Sequence, residues 1–416
     1  MSSALTQAGM TRNRVLSFIA GLGMMVASIM TVDHFFAANY PTSIWEGSFC
    51  DISAFFNCDS SAFSAISTIF GVPIGYFGMM LGGLVALGTV FPSETLERTN
   101  RTLALFNIAG VVVLLAYSVV ILGSLCLLCT GYYLFSGLSF YLFWKSGIDR
   151  EEAGLVSRYL RPSLTILATF GIVTLVGAYG VSRYHQVRID AQSGSVVSRV
   201  VNQFFDLPLV ENPTFISPYW SVRSTEQFED APIRIIEYAD LLCPDCLFLA
   251  EQLDRLKVEF EGKINVAFQF FPLEAECNTV VEKDLHPGAC DITLIAARDP
   301  SKFVEIHDEI WANFRSARNP DWRRELAEKY GVEDALTDPA TQEIVHRIIE
   351  TGREYEKTDE RYSHGIRSTP TMIINNRMII GTLPYEQMKA IFQALVDEAE
   401  QGGPKRFIEN WEERGR

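Results

Sequence analysis

Charged side chains are scarce in the first 182 residues of this 416-residue chain, which carry only eight Lys or Arg and nine Asp or Glu. The segment 102–144 has no charged residue at all. The remaining residues carry 27 basic and 41 acidic side chains, a formal net charge of −14. The second part is therefore soluble and acidic, which gives no support for nucleic-acid binding. The length indicates two or three domains.

The apolar runs of the first part predict five transmembrane helices, because a spanning helix needs about 20 residues. The runs cover residues 15–37, 67–91 and 162–181, and the segment 102–144 contains two more with a turn near Gly123. Core helices of a soluble protein are the alternative, which uncharged runs of this length disfavour. The first run lacks the small-residue cleavage site of a removed signal peptide.

The basic residues predict the orientation in the membrane. They precede the first span or lie between spans two and three and between spans four and five: Arg12, Arg14, Arg98, Arg101, Lys145, Arg150, Arg158 and Arg161. The segment 39–65 has no Lys or Arg. Because basic loops stay in the cytoplasm, we expect a multi-pass protein of the cytoplasmic (inner) membrane. Its N-terminus would be cytoplasmic and its acidic part periplasmic.

In this topology all eight cysteines lie on the outer side: Cys50, Cys58, Cys126, Cys129, Cys243, Cys246, Cys277 and Cys290. An oxidising compartment suits disulfide chemistry. The sequence CLLC at 126–129 lies in an apolar run. Its two cysteines are either a redox pair or two small apolar residues that pack a helix. A metal site is a further alternative, but four ligands are normally needed and no histidine is near in the sequence.

The acidic part contains a second C-x-x-C pair, Cys243 and Cys246, between a predicted strand at 233–238 and an amphipathic helix. Free N–H groups and the dipole at a helix N-terminus stabilise a thiolate at the first cysteine. Further strands are predicted at 264–273 and after Thr369-Pro370, and helices over 291–349 and 385–400. Residues 184–230 are predicted to be a linker.

Residues 231–400 resemble a thioredoxin-fold domain of the DsbA-like kind, with a helical insertion between two groups of strands. CPDC after a strand and Thr-Pro before a late strand carry the resemblance, which implies that Pro370 is cis and faces the cysteine pair. It also implies a buried acid at Glu237, six residues before the first cysteine; a solvent-exposed edge-strand carboxylate is the alternative. Strongly oxidising members have His between the cysteines, whereas this chain has Asp245, which should stabilise the Cys243 thiolate less.

Cys277 and Cys290 frame a short loop of the same domain. In an oxidising compartment the expected arrangement is a structural disulfide that closes this loop. A second redox relay is the alternative interpretation of the pair.

The first part resembles the vitamin K epoxide reductase family over residues 12–145. The residues that carry the resemblance are Cys50, Cys58, Ser64, Phe70-Gly71 and the CLLC pair. Tyr133, four residues after Cys129, matches the family's quinone-contacting tyrosine. A helix-capping serine and an interface aromatic are the alternatives for Ser64 and Tyr133.

Bacterial members of this family are fused to a thioredoxin-like domain through an extra span, which implies the domain plan of this chain. A membrane all-α bundle of five transmembrane helices has its four-helix core in residues 1–160 and its linking helix in 161–183. After the linker comes an α/β thioredoxin-fold domain over 231–400, and residues 401–416 are a tail.

The two resemblances together imply a quinone-dependent thiol oxidase that forms disulfides in secreted or periplasmic client proteins. Electrons would pass from the CPDC pair to Cys50 and Cys58, then to the CLLC pair and to a lipid quinone such as ubiquinone or menaquinone, without a metal. Glu237 would carry protons, and Ser64 and Tyr133 would border the quinone. One alternative is a quinone or vitamin K epoxide reductase with the thioredoxin-fold domain as donor. Another is a non-enzymatic membrane receptor, which the two C-x-x-C pairs disfavour.

Overall fold

The computed structural model describes residues 2–41, 44, 58–146, 162–192, 194–210, 213–216, 219–282, 284–355, 365–401 and 412–414. Cys50 and most of the first predicted outer loop lie outside these residues. The chain forms two compact units, one of residues 1–40 and 55–190 and the other of residues 41–54 and 191–416.

The first unit is helical. Its elements are α1 (Ser2–Asn39), α2 (Asp59–Ala62), the two-residue strands β1 (Thr68–Ile69) and β2 (Val72–Pro73), α3 (Ile74–Val90), α4 (Glu94–Ala116), α5 (Leu127–Ser146) and α6 (Leu164–Gln192). Among the residues that the structure describes, three stretches are long and apolar enough to cross a membrane: Arg12–Asn39, Glu94–Leu122 and Leu164–Asp190. The helical stretches Ile74–Val90 and Leu127–Phe143 are apolar but shorter.

Helix α1 packs against α3 and α5. Its contact with α3 is close, since a Cβ at Gly21 would lie 2.6 Å from Ala86 N and a Cβ at Gly82 would lie 2.7 Å from Gly21 O. Any side chain at either glycine would push the two helices apart. Helix α6 is attached to α3 by a hydrogen bond from Tyr76 Oη to Thr174 O, 2.9 Å.

The uncharged segment 102–144 is broken near Gly123, as predicted. Helix α4 continues into a π-helical turn, Tyr117–Leu122, and ends at Gly123, whose φ of +64° favours glycine. At its other end, Ser93 caps α4 by accepting a hydrogen bond from Leu96 N. The helix therefore begins before the uncharged segment, and Arg98 and Arg101 lie in its first turns rather than in the predicted loop.

The second unit contains a five-stranded sheet in the order β4-β6-β5-β7-β8. Its strands are β4 (Trp220–Arg223), β5 (Ile233–Ala239), β6 (Ile264–Phe270), β7 (Thr371–Ile374) and β8 (Arg377–Ile380), and a separate parallel pair joins β3 (Thr214–Ile216) to β9 (Glu412–Arg414). Strands β5 and β6 are parallel, and the other neighbours in the sheet are antiparallel. The predicted strands at 233–238, 264–273 and after Pro370 are therefore present.

Helices cover both faces of this sheet. They are α7 (Ser195–Asp206), α8 (Pro244–Glu259), α9 (Ala289–Ala297), α10 (Phe303–Ala312), α11 (Pro320–Tyr330), α12 (Pro339–Glu354) and α13 (Tyr385–Glu400). Because side chains alternate along a strand, Ile233 and Ile235 pack with α7, α8 and α13, whereas Ile236 and Tyr238 pack with α9 to α12. The second group of helices is the predicted insertion.

The predicted linker over 184–230 is wrong for most of its length. Helix α6 extends to Gln192, α7 follows, and β4 pairs with β6 at the edge of the sheet. Val200 and Phe204 of α7 are fully buried in the second unit. The helix has only 12 residues and is followed by a proline-containing segment, so its apolar face was too short a signal to separate it from loop.

Candidate active site

Three cysteines meet in the first unit. Cys58 precedes α2, and Cys126 and Cys129 lie at the start of α5. The Cys126 thiol donates to Cys58 Sγ at 3.5 Å, and Cys129 N donates to Cys126 Sγ at 3.2 Å. Cys58 is disulfide-bonded, whereas Cys126 and Cys129 are free thiols. Cys50, the predicted partner of Cys58, lies outside the described residues.

An apolar cavity of about 230 Å³ adjoins these thiols and is lined by all three of them. Ser64 and Tyr133, which the family resemblance associates with quinone, also line it. Ser64 Oγ donates to Ser61 O at 2.8 Å, so the serine closes its own turn rather than capping a long helix. The structure thus brings both predicted residues to the same cavity as the cysteines.

The wall of this cavity also contains a hydrogen-bonded pair that the sequence analysis did not single out. Asn107 lies on α4 and Tyr132 on α5, and Tyr132 Oη donates to Asn107 Oδ1 at 2.6 Å. An Asn amide also carries two N–H donors, which suit a carbonyl oxygen. A signal was present, since Asn107 is the only Asn or Gln in the uncharged segment 102–144 and polar residues inside apolar spans are usually functional.

A histidine and an aspartate also meet at this site. His34 of α1 lines the cavity, and its Nε2 lies 2.7 Å from Oδ1 of Asp59, the residue that follows Cys58. Both side chains are largely buried. His34 is far from the CLLC pair in the sequence, so no local motif connects it to this site.

The second thiol pair lies where β5 ends and α8 begins. Cys243 is the N-cap of α8 and Pro244 is its first residue, so the thiol is beside the free N–H groups of the helix. Cys243 and Cys246 are buried, and both are in the thiol form. The Thr369-Pro370 peptide bond is cis, and the Cys243 thiol donates to Thr369 O at 3.6 Å. Pro370 therefore lies next to the pair, as the resemblance implies.

The two thiols have different environments. Burial first, and the neighbouring Cys243 second, raise the pKa of the Cys246 thiol well above its usual value. Cys246 therefore keeps its proton at neutral pH, because a raised thiol pKa disfavours the thiolate. Cys243, at the helix N-terminus, is the residue placed to act as the thiolate.

Glu237 is buried on the central strand β5, which has neighbours on both sides. The alternative of a solvent-exposed edge-strand carboxylate is therefore wrong. Burial, and after it the charge of Asp254, raise the pKa of Glu237 to about 8. Its carboxyl is mostly protonated at pH 7, which suits a group that gives and takes a proton near neutral pH.

A buried aspartate–histidine pair lies beside the second thiol pair. Asp240 precedes Cys243 by three residues, and its carboxylate accepts hydrogen bonds from Leu242 N at 2.6 Å and Leu273 N at 2.7 Å. His286 Nδ1 lies 2.7 Å from the same carboxylate. Burial lowers the pKa of His286, but the charge of Asp240 and the hydrogen bond to it raise the pKa to about 8. His286 is therefore mostly charged at pH 7.

Arg318 brings a second positive charge to this site. It ends the short helical turn Ser316–Arg318. Burial lowers the pKa of Arg318, while the negative charges of the Cys243 thiolate and Asp240 oppose that effect. The sequence analysis missed Asp240, His286 and Arg318, because His286 lies 46 positions from Asp240 and no local motif connects them.

Cys277 and Cys290 form a disulfide bond in the second unit. It closes the segment that carries His286. The Glu274 carboxylate accepts hydrogen bonds from Gly288 N and Cys290 N, both at 2.8 Å. The loop is therefore held by a covalent bond and by a buried carboxylate.

Comparison with known proteins finds a family match in each half of the chain. Residues 14–144 match the model of the vitamin K epoxide reductase family, and residues 228–394 match the model of a thioredoxin family. The chain is 24% identical to an Na(+)/H(+) antiporter NhaA 1 of Mycolicibacterium gilvum over 36% of this chain and 22% of that protein. It is 20% identical to disulfide bond formation protein D of Bacillus subtilis over 39% of this chain and 71% of that protein.

Among solved structures, alpha-DsbA1 of Wolbachia pipientis is 15% identical, with a TM-score of 0.33 over 42% of this chain and 90% of that one.

Within the described residues, no group of three or more His, Cys, Asp or Glu side chains could hold a metal ion.

The chain therefore joins two domains, one helical and apolar and one built on a thioredoxin-like sheet. Residues 14–144 form a domain of the vitamin K epoxide reductase family, and residues 228–394 form a thioredoxin-family domain. The two family resemblances read from the cysteine motifs are confirmed.

Proposed function

We propose that the protein is a membrane thiol oxidase that forms disulfide bonds in extracytoplasmic proteins and transfers the electrons to a lipid quinone. The contact of 3.5 Å between the sulfur atoms of Cys58 and Cys126, at the wall of an apolar cavity, carries the proposal. Thiol–disulfide exchange needs two sulfur atoms in contact. The similarity to proteins named for disulfide bond formation supports the same chemistry.

All five apolar helices of the first unit would cross the membrane in this proposal. The two shorter ones, α3 and α5, pack beside α1, which is itself long enough to span. Five spans put the two ends of the chain on opposite sides. The basic residues then favour a cytoplasmic N-terminus and a periplasmic second unit, where reduced secreted proteins would be the clients.

The first exchange would take place in the second unit. A client dithiol is oxidised to a disulfide while the Cys243–Cys246 disulfide is reduced, with transfer of two electrons and two protons. The Cys243 thiolate then attacks Cys50 in the Cys50–Cys58 disulfide and releases Cys58 as a thiolate. Cys246 attacks Cys243 next, which frees Cys50 and restores the Cys243–Cys246 disulfide.

The second exchange would pass the electrons into the first unit. The Cys58 thiolate attacks Cys126 of the Cys126–Cys129 disulfide and releases the Cys129 thiolate. Cys50 then attacks Cys58, frees Cys126 and closes the loop disulfide again.

The cavity fits the headgroup of a quinone, because its wall is mostly apolar and carries a few polar side chains. Asn107 and Tyr132 would hold a carbonyl oxygen, and Ser64 and Tyr133 would border the ring. A bound quinone would supply an acceptor for the two electrons and two protons that leave when Cys126 and Cys129 form their disulfide. His34, against Asp59, lines the same cavity and would hold one of these protons.

Glu237 would carry the proton of Cys246 when this thiol attacks. Two features support that role: the carboxyl is buried on β5, and burial raises its pKa to about 8, close to neutral pH.

Turnover of the purified full-length chain in lipid, with a reduced dithiol peptide and a quinone, tests the proposal. We expect one quinone reduced per disulfide formed. Cys126→Ser should lower this rate by roughly 10³-fold or more, because it removes the group that transfers the electrons. The matched control is Ser139→Ala, a buried position further along α5, which should retain the rate. Quinone reduction that survives Cys126→Ser would refute the proposed path.

A quinone or vitamin K epoxide reductase with the second unit as donor is the alternative, and it shares the membrane chemistry. Only the oxidase should restore disulfide formation in a bacterial cell that lacks its own quinone-linked oxidase. Failure there, together with a larger kcat/KM for an epoxide than for a quinone in lipid, would favour the reductase.

A further inference from the structure

Asp240 is fixed in position behind the Cys243 thiol. The Cys243 N–H donates to Asp240 O at 3.0 Å, and the Asp240 carboxylate accepts from Leu242 N. Main chain and side chain of Asp240 therefore both shape the turn that presents Cys243 at the start of α8. The carboxylate is completely buried.

Negative charge at this position opposes a thiolate at Cys243. Asp245, between the two cysteines, adds a second acid that is also largely buried. A thiol between these acids would be a poor leaving group and a weak oxidant unless positive charge compensates them. The charges of Asp240, the Cys243 thiolate and Arg318 all act on His286.

We propose that His286, hydrogen-bonded to the buried Asp240 carboxylate, is a positioning residue for the Cys243 thiolate and makes the Cys243–Cys246 disulfide a stronger oxidant. The inference rests on the proposed function of this pair in thiol exchange. Stabilising the reduced form of a thiol pair raises its reduction potential. His286 thus supplies, from a distant loop, the positive charge that CPDC lacks between its cysteines.

The loop around His286 fixes it against Asp240. Leu273 N donates to the Asp240 carboxylate at 2.7 Å, and His286 N donates to Leu273 O at 3.1 Å. The imidazole of His286 contacts Asp240 directly, and the backbone of His286 is connected to Asp240 through Leu273. The Cys277–Cys290 disulfide closes this segment covalently, so it also helps to position the charge.

The test measures the equilibrium of the Cys243–Cys246 pair with glutathione at pH 7 in the full-length chain. The peptide that contains both cysteines is quantified by mass spectrometry after acid quench and alkylation. We expect His286→Gln to shift this equilibrium about tenfold toward the disulfide, which is about 30 mV toward a more reducing pair. The matched control is His346→Gln, an exposed histidine on α12, which should leave the equilibrium unchanged.

A second variant separates charge from structure. Asp240→Asn combined with His286→Gln removes both charges, so the equilibrium should return to within about twofold of the unaltered chain. If His286 only maintained the fold, the double variant would differ from the unaltered chain at least as much as His286→Gln does. An unchanged equilibrium in His286→Gln, or no restoration in the double variant, would overturn the inference.

A measurement without substitution of His286 completes the test. The hydrogen–deuterium exchange of the imidazole C2 atom, followed by mass spectrometry, reports the titration of His286 in the reduced chain. Because the Cys243 thiolate raises the pKa of His286, the midpoint should be higher than in a reduced Cys243→Ser chain. Equal midpoints would refute the coupling. Both experiments are independent of quinone turnover, so their failure is distinct from failure of the proposed function.

Discussion

The two thiol sites of this chain both contain a buried histidine–aspartate contact of 2.7 Å, but their surroundings differ. The site of the first unit adjoins an apolar cavity of about 230 Å³ whose wall carries the neutral hydrogen bond between Tyr132 and Asn107. In the second unit, the Asp240 carboxylate is fully enclosed and is hydrogen-bonded to two backbone N–H groups and His286. The first arrangement suits an apolar ligand, and the second suits a stabilised thiolate.

We expect burial in the second unit to make its stability depend on pH, chiefly through Glu237. Its pKa is raised to about 8 from the ordinary 4.5. The folded state therefore binds the proton more tightly, and the associated stability is present below pH 4.5 and lost as the pH rises through 8. We expect this unit to lose about 3–5 kcal/mol between pH 5 and 9 relative to Glu237→Gln.

Pulse proteolysis of the full-length chain in urea checks this prediction. His286, whose pKa is also raised, changes stability in the same direction in both chains and cancels in the comparison. Glu343→Gln, at an exposed position on α12, is the control. Parallel pH profiles for Glu237→Gln and the unaltered chain would show that the carboxyl is not desolvated as described.

Removal of the loop disulfide should have the next largest effect. Cys277→Ser with Cys290→Ser should destabilise the second unit by about 2–4 kcal/mol, because the disulfide restricts the unfolded chain. Quinone-linked turnover at low temperature should largely persist, with a shift of the Cys243–Cys246 equilibrium smaller than that of His286→Gln. Loss of turnover in a folded chain would instead make this pair a second redox relay.

The smallest expected effect concerns the neutral hydrogen bond of the first site. Tyr132→Phe removes the hydroxyl that donates to Asn107 and should cost about 1 kcal/mol of quinone binding. In steady-state turnover this appears as a KM for quinone that is higher by roughly fivefold. Tyr141→Phe, at an exposed position on α5, is the control. An unchanged KM would exclude Tyr132 from the quinone site.

Local sequence patterns predicted much of this architecture. CPDC between a β-branched run and an amphipathic helix predicted β5 and α8, and Thr369-Pro370 predicted the position of β7. Each signal is adjacent in the chain to the element that it predicts, so periodicity and helix-end chemistry are enough to recognise it. The break at Gly123 was also predictable, because an uncharged segment of this length exceeds one span.

The parts that could not be predicted depend on contacts between distant segments. His286 and Asp240 are 46 positions apart, and Asn107 and Tyr132 come from different helices. Nothing local in the sequence indicates which polar residues will meet. The same limit explains the missed helix α7, whose stability comes from burial of Val200 and Phe204 in the second unit rather than from its own propensity.

The central claim is that Cys58 exchanges directly with Cys126, and trapping this bond in a Cys50→Ser chain tests it most directly. Without Cys50, no loop thiol can displace Cys126 from Cys58. Peptide mapping after acid quench should therefore find a Cys58–Cys126 disulfide, consistent with their separation of 3.5 Å. Cys58 joined instead to Cys129, or Cys126 joined directly to Cys243, would contradict the proposed order of exchange.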